Sequence, residues 1–173
     1  GSAGVASHTS FNDAGAPVFI ADLPLAVGLE IGQAFKGQPV IVLSARNADD
    51  ILRWSACSPT LFPTMPSHAM LMDALAQFLS SKNWKRVLIL QGDAPNDQLL
   101  ADAFAKAAAK FRLKQVDRRS FVLSNDPRIR EKNNVALITS GARVDVIFLA
   151  DSVGEFGRYV PYQTQKPTLV VGS

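Results

Sequence analysis

The sequence contains one cysteine, Cys57, in a chain of 173 residues. An internal disulfide and a cysteine-based zinc cluster are therefore excluded. No apolar run approaches the roughly 20 residues that would span a bilayer. The first ten residues have neither a basic start nor an apolar stretch, so they do not resemble a signal peptide, and the leading Gly1-Ser2 is typical of an expression scar.

Catalytic motifs are lacking as well. The sequence has no G-x-S-x-G elbow, no Walker loop, no G-x-G-x-x-G after a strand and no H-E-x-x-H. A Cys57 nucleophile paired with His68 is a weak hypothesis, because nothing in the sequence indicates a group that activates the thiol. Asp22, Asp93 and Asp151 each close a predicted strand, but helix capping and solvation explain such acids better than a metal site. We therefore predict that the chain is not an enzyme and has no metal site or cofactor.

Charge is moderate overall and uneven along the chain, with a net charge of +3 and most of the basic residues in the second half. The densest basic patch, at 106–119, lies at the end of a predicted helix, where cations interact favourably with the helix dipole. No aromatic residues are interleaved with it and no nucleic-acid motif accompanies it. A solvated helix surface is the favoured interpretation, so we expect no nucleic-acid partner.

Apolar segments alternate with helical patterns from residue 17 onward. We predict strands over 17–22, 38–43, 86–93, 114–123, 143–151 and 166–173, and helices over 24–37, 48–54, 67–81 and 95–113, with a partly helical segment at 126–142 and a helical turn at 155–160. This alternation predicts an α/β fold of parallel sheets flanked by helices.

The helix predicted at 67–81 begins directly after Pro66. The proline keeps the preceding residue extended, and Ser67 can act as the N-cap. The apolar spacing predicts an inward face with Leu71, Leu75, Phe78 and Leu79, and Met70 and Met72 widen this apolar surface.

Polar loops follow three of the predicted strands. Ligands of open parallel sheets bind outside the carboxyl ends of the strands, so these loops supply the candidate ligand-binding residues. Arg46 can hold a carboxylate in bidentate fashion, whereas an equally good interpretation has Asn47 only capping the next helix. The turn at 92–96 is either a plain connection or an anion-favouring helix start. The candidates are Ser44, Ala45, Arg46, Asn47, Asp93, Asn96, Asp151 and Ser152.

Three stretches carry a family resemblance: "PVIVLSARNADDILR", "LFPTMPSHAMLMDALAQFL" and "VDVIFLADSVGEFGRYVPY". They resemble the type I periplasmic solute-binding proteins of ABC transporters, in the branched-chain amino acid receptor-like group. The chain is most similar to the subfamily associated with PQQ-dependent alcohol oxidation. The resemblance covers residues 16–173.

The resemblance implies a periplasmic protein that holds a small polar solute between two α/β lobes and presents it to an ABC transporter permease. After a flexible tail at 1–15, residues 16–81 would form part of the first lobe and residues 82–173 an incomplete second lobe. The loop with Ser44, Ala45 and Asn47 would hold the polar head of the ligand.

The second lobe has its own counterparts of family ligand residues. The resemblance implies that Asp151 and Ser152 lie at a strand end facing the ligand. Asn96 stands where amino-acid receptors often have an aromatic ring, and this difference, together with Arg46, argues against an amino-acid ligand.

Family members begin earlier and continue beyond the final "VVGS", so the resemblance implies a fragment, a processed form or a naturally shortened relative. The first-lobe piece would then need a different packing or a homodimer to be stable. The alternative function is an α/β regulatory or interaction domain without a ligand cleft, which would act through dimerisation or protein contacts. A ligand that raises the melting temperature separates the two hypotheses.

Overall fold

The structure is a computed structural model that describes residues 18–124 and 126–172. The chain divides into two compact units, Gly1–His68 and Ala69–Ser173. Each unit has its own parallel sheet with helices beside it. The predicted class, α/β with parallel sheets flanked by helices, is confirmed, whereas the tail predicted at 1–15 lies outside the described residues.

The first unit contains a parallel sheet of three strands in the order β1-β2-β3. Its strands are β1 (Val18–Ala21), β2 (Ile41–Ser44) and β3 (Leu61–Pro63). Helix α1 (Leu25–Ala34) connects β1 to β2, and a 3-10 helix (Asp50–Arg53) lies between β2 and β3. The sequence patterns did not predict β3, which pairs with β2 along only three residues.

Helix α1 packs on this sheet through a face that contains two glycines. Gly28, Ile31 and Gly32 are its buried positions, which share one face because residues three and four apart align on a helix. A side chain at position 32 would press on Leu61, whose Cβ lies 3.3 Å from where a methyl group would be. The glycine therefore allows helix and strand to approach closely. The core of the unit consists of Ala21, Ile31, Phe35, Val42, Leu52 and Leu61.

The second unit contains a parallel sheet of four strands in the order β5-β4-β6-β7. In chain order they are β4 (Arg86–Gln91), β5 (Lys114–Ser120), β6 (Val146–Ala150) and β7 (Leu169–Gly172). The two central strands, β4 and β6, are almost continuously buried. Unbroken apolar strands of this kind are expected where helices cover both faces of a sheet.

Helices lie between all the strands of the second unit. The long helices are α2 (His68–Ser81) and α3 (Pro95–Lys110), and the short ones are α4 (Arg130–Asn133), α5 (Val135–Ile138) and α6 (Val160–Gln163), with a 3-10 helix at Pro127–Ile129. Stacked aromatic rings join helices and loops to the sheet on both sides: Phe104 on Phe148 with centroids 3.9 Å apart, and Phe121 on Phe156 at 4.2 Å. The sheet is thus packed between two separate apolar clusters.

The buried face of α2 agrees with the predicted apolar surface at Met72 and Leu79 and differs from it elsewhere. Its buried residues are Met72, Ala76 and Leu79, whereas Leu71 and Phe78 are 44% and 49% exposed. The spacing of four and three residues is that of one helix face, but the small Ala76 at its centre was not counted as a core residue. Phe78 instead makes an edge contact with Trp84. The prediction that Leu71 and Phe78 face inward is therefore wrong.

The boundary between the two units lies at the start of α2, earlier than the lobe boundary expected at 81/82. The physical reason is packing, because Met72, Ala76 and Leu79 belong to the same apolar cluster as β4 and α3. The assignment of residues to functional lobes stays a prediction.

Candidate functional site

The loop that follows β2 is held together by two buried polar side chains. Ser44 ends the strand and Asn47 lies three residues later, and both are less than 10% exposed. The Asn47 amide donates to Ser44 Oγ at 3.0 Å and to the Leu23 carbonyl at 3.1 Å. Its nitrogen therefore ties the ends of β1 and β2 together. The alternative that Asn47 caps the next helix is not supported, because the 3-10 helix starts at Asp50 after Asp49.

Ala45 and Arg46 form the exposed part of this loop. The Ala45 N–H donates to the Ala21 carbonyl at 3.0 Å, which continues the strand pairing by one residue. Arg46 lies 4.0 Å from the Asp22 carboxylate, and both side chains are more than 60% exposed. An exposed pair at this distance contributes little, so the Arg46 guanidinium can turn to an anionic ligand at small cost.

The end of β4 presents Asp93 and Asn96, which are both exposed. Gly92 still belongs to the sheet, because its N–H donates to the Ala150 carbonyl at 3.0 Å. Helix α3 then begins with Pro95 in its first turn and no side-chain cap at Ala94. The first turn of α3 lies at the carboxyl edge of the second sheet, where we predicted ligand-binding residues.

A buried acid at this edge, Asp97, was not among the predicted residues. It is 3% exposed, and its Oδ1 accepts a hydrogen bond from the Ser152 N–H at 2.7 Å. The bond links the first turn of α3 to the loop after β6. Its sequence signal is an acid at the third position of a helix that begins with proline, and this pattern alone does not distinguish a buried acid from a solvated one.

Asp151 is a buried acid at the end of β6 that holds the following loop in place. It is 2% exposed, and its two oxygens accept hydrogen bonds from the Gly154 N–H at 3.0 Å and the Gly157 N–H at 2.7 Å. These bonds keep 154–157 as a loop, and Gly154 has a φ of 76° that favours glycine. The helical turn predicted at 155–160 therefore starts later, at Val160.

The structure brings the predicted residues together within each unit. Ser44 and Asn47 are in contact in the first unit. Asp93, Asn96, Asp151 and Ser152 follow the neighbouring strands β4 and β6 at the carboxyl edge of the second sheet.

A cavity of about 900 Å³ lies beside this edge in the second unit, between the segments after β5 and β6. Its lining mixes charges of both signs with aromatic rings. Two cations, Arg130 and Arg158, face the same space as Glu155 and Tyr159. None of the predicted site residues lines it. The described residues that line it are Val122, Leu123, Ser124, Asp126, Pro127, Arg130, Asn133, Glu155, Phe156, Arg158 and Tyr159.

The described part of the chain has neither a metal-binding cluster nor a membrane-spanning helix. No group of three or more His, Cys, Asp or Glu side chains could hold a metal ion there. Within the same residues, no helix has the length and apolar character to cross a membrane. Cys57 is exposed and unpaired.

Solved structures with the same fold include substrate-binding proteins of ABC transporters. An ABC transporter substrate-binding protein from Desulfitobacterium hafniense has a TM-score of 0.76 and 20% identity over 98% of this chain and 50% of its own. A structure of such a protein from the same organism in complex with Leu has a TM-score of 0.73 and 19% identity over 98% of this chain and 50% of its own. A branched chain amino acid ABC transporter periplasmic ligand-binding protein from Burkholderia xenovorans LB400 has a TM-score of 0.75 and 15% identity over 98% of this chain and 46% of its own. The chain thus spans about half the length of these proteins.

A comparison with curated proteins found no match. A comparison with protein families matched residues 4–156 to the family described as periplasmic binding protein. Its members are binding proteins and not enzymes, which confirms the prediction of a non-enzymatic chain. Because the match covers most of the 173 residues, the chain belongs to the periplasmic binding protein family.

Proposed function

We propose that the protein is a periplasmic solute-binding protein that captures a small polar ligand for uptake or sensing through an ABC-type transporter. The observation that supports this proposal is the arrangement of polar side chains at the carboxyl edge of each sheet. Buried polar side chains fix the loops there, while Arg46, Asp93, Asn96 and Ser152 remain exposed. Fixed loops with exposed polar groups at this edge are the arrangement by which parallel α/β sheets bind ligands.

A small organic carboxylate is the ligand class that this edge fits best. Arg46 is the exposed cation of the first-unit loop, and its planar guanidinium can donate two parallel hydrogen bonds to a carboxylate. The Desulfitobacterium hafniense protein was solved with Leu, which carries a carboxylate. The exposed Asn96 and Ser152 add neutral donors and acceptors that suit polar groups on the rest of the solute.

Two narrower expectations are part of the proposal. One is that the ligand is held between two lobes. The other is an association with PQQ-dependent alcohol oxidation, which is supported by the resemblance of "PSHAMLMDALAQFL" and "ADSVGEFGRYVPY". Short alcohols, their aldehydes, their carboxylates and PQQ therefore belong in a ligand screen.

The screen measures the melting temperature of the protein with each compound and with free amino acids. A ligand at a hundredfold excess over its Kd stabilises the folded protein by about 2.7 kcal/mol, which a thermal-shift assay detects. Stabilisation by a carboxylate and by none of the alcohols supports the proposed ligand class. If no compound raises the melting temperature, the interaction-domain alternative is favoured.

Calorimetry on single variants then tests the role of Arg46. We expect Arg46→Ala to weaken binding of the identified carboxylate by roughly 10- to 100-fold, the range for loss of a charge-assisted hydrogen bond. Lys36→Ala is the matched control, because it removes another exposed positive charge from the same unit. Equal affinities for Arg46→Ala and the unchanged protein would remove the carboxylate role from Arg46.

A homodimer stays a prediction, and one surface of the first unit is relevant to it. Val18, Ile20, Ile41 and Phe62 are all more than 40% exposed, although they belong to the three-stranded sheet. Light scattering across a range of protein concentrations measures whether the chain associates.

A further inference from the structure

A second, smaller cavity lies in the second unit at the opposite edge of its sheet. Its volume is about 220 Å³. It is lined by the connection from α5 to β6 and by the connection from α6 to β7. Both connections lead into the amino ends of parallel strands, whereas the candidate solute site lies at the carboxyl ends. The lining residues are Thr139, Gly141, Ala142, Arg143, Val144, Ile147, Thr164, Gln165, Lys166 and Thr168.

The charged side chains that line this cavity, among the residues that the structure describes, are both cations. They are Arg143 and Lys166, and none of the described lining residues is acidic. Neither cation forms a salt bridge with any residue in the described ranges. The acid nearest in sequence, Asp145, accepts a hydrogen bond from the Arg86 N–H at 2.9 Å. Two cations that share a cavity without an acid produce a positive potential that attracts an anion.

Hydrogen-bond donors remain available beside the two cations. The Thr139 and Thr168 hydroxyls already donate to carbonyls, at 2.7 Å to Val135 and 3.0 Å to Lys166. The Thr164 hydroxyl forms no hydrogen bond with another described residue, and the exposed Gln165 contributes an amide. The described lining of the cavity therefore offers charged and neutral donors but no carboxylate acceptor.

Arg119 fixes the connection after α5, which forms one wall of the cavity. Its guanidinium donates to the Ile138 carbonyl at 2.6 Å and to the Ser140 carbonyl at 2.9 Å. Gly141 then turns the chain with a φ of 71°, just before Arg143. Because the bonded carbonyls hold this connection, Arg143 is presented from a backbone that needs little reordering when an anion binds.

The volume of the cavity limits what can bind in it. A water molecule accounts for about 30 Å³ of liquid volume, so a four-oxygen anion with a few waters fits. Pockets for drug-sized organic ligands start at roughly 300 Å³. We propose that Arg143 and Lys166 bind a tetrahedral oxyanion of the phosphate or sulfate class, at a site separate from the proposed solute site.

Titration with inorganic phosphate in chloride buffer tests the proposal by calorimetry and by two-dimensional amide NMR. We expect saturable binding that weakens with added salt, with resonance shifts at 139–144 and 164–168. Arg143→Gln and Lys166→Gln should each weaken binding by about tenfold, the loss of one charge-assisted contact. Lys106→Gln, which removes an exposed charge from α3, is the control and should leave the affinity unchanged. Equal weakening in all three variants, or in none, would overturn the site.

A second arm of the experiment separates the two sources of such a phosphate group. Cosedimentation compares phosphatidylglycerol vesicles with phosphatidylcholine vesicles. Phosphate binding without cosedimentation identifies a free oxyanion as the ligand, and cosedimentation that requires Arg143 and Lys166 identifies an anionic lipid headgroup. Absence of both refutes the inference. Arg143→Gln should not change the affinity for the carboxylate solute, so failure here is distinct from failure of the proposed function.

Discussion

Replacement of Gly92 by alanine should selectively disrupt the carboxyl edge of the second sheet. A methyl group at this position would lie well inside contact distance of the Asp97 carboxylate, with Asp97 Cγ at 3.2 Å and Phe121 Cζ at 3.1 Å. Gly92 is not among the residues with positive φ, so its backbone suits alanine and the conflict is with the neighbouring side chains. Asp97 would have to move from a site that is 3% exposed.

The magnitude follows from what Asp97 would lose. Its 2.7 Å bond from the Ser152 N–H is a hydrogen bond to a charged group, which contributes about 1.5–3 kcal/mol. The added methyl group also presses on Phe121, whose ring stacks on Phe156. We therefore expect Gly92→Ala to lower the free energy of unfolding of the second unit by about 2–4 kcal/mol.

Urea unfolding followed by Trp fluorescence measures this loss. The chain has two tryptophans, Trp54 in the first unit and Trp84 in the second, so a Trp54→Phe background makes the signal report the second unit alone. Gly141→Ala is the matched control. Its φ of 71° is unfavourable for alanine but nothing lies within 4 Å, so only the backbone cost of about 1–2 kcal/mol is expected.

A double-mutant cycle decides whether the clash with Asp97 is the cause. In an Asp97→Ala background the carboxylate is gone, and Gly92→Ala should then cost at least 1 kcal/mol less than it does alone. If the costs of the two changes simply add, the loss does not arise from this contact and the reasoning is refuted.

Three further predictions concern other polar groups. Asp151→Asn should lower the free energy of unfolding by about 1–3 kcal/mol, since an amide can replace only one of its two acceptor oxygens; an unchanged urea midpoint would contradict this. Asn47→Ala should cost about 1–2 kcal/mol in thermal or urea unfolding of the first unit, because Ser44 Oγ loses its partner, and wild-type stability would exclude the role. The hydrogen bond from Arg119 holds the pKa of Asp117 below its ordinary value of 3.8, so the ionised carboxylate stabilises the fold above about pH 4. The stability difference between the unchanged protein and Asp117→Asn should be below about 1 kcal/mol at pH 6 and shrink towards pH 3, and a constant difference would contradict the assignment.

The two central strands of the second unit, β4 and β6, could be predicted from apolar runs alone. The four residues from Val87 to Leu90 and the strand Val146–Ala150 are continuous in sequence and buried in the structure. A run without polar interruption leaves few alternatives to a strand covered on both faces, because a half-exposed strand would alternate. Strand β3 was missed because three residues give too short a pattern, and its pairing with β2 is a tertiary contact.

The location of the candidate site could be predicted better than the roles of its residues. Parallel strands place all their carboxyl ends at one edge, so Ser44 and Asp151 had to lie at such an edge once the strands were assigned. The partners of these side chains depend on distant chain segments. Asp97 is buried because the loop after β6, more than fifty residues later, donates Ser152 N–H to it. No local pattern at 95–98 contains that information.

Helix faces show a related limit. The pattern of large apolar residues in α2 suggested Leu71 and Phe78, but the structure buries the face with Ala76 at its centre. A small residue permits close packing against the cluster with β4, whereas Phe78 has an aromatic partner at the helix end in Trp84. Which face of α2 is buried thus depends on the size of the residues at the contact as well as on their hydrophobicity.

Polar residues at the carboxyl edges have two separable roles, and stability measurements distinguish them. Both oxygens of Asp151 accept hydrogen bonds from backbone N–H groups, and the Asn47 amide donates to Ser44 and Leu23. Replacement of Asp151 or Asn47 should therefore lower stability together with affinity. Arg46 has only a weak exposed ion pair, so its loss should lower affinity and leave stability within about 0.5 kcal/mol. A ligand contact can therefore be assigned only to a residue whose replacement weakens binding without weakening the fold. By this criterion Arg46 can serve as a direct contact, whereas Asp151 acts by positioning the loop that carries Ser152.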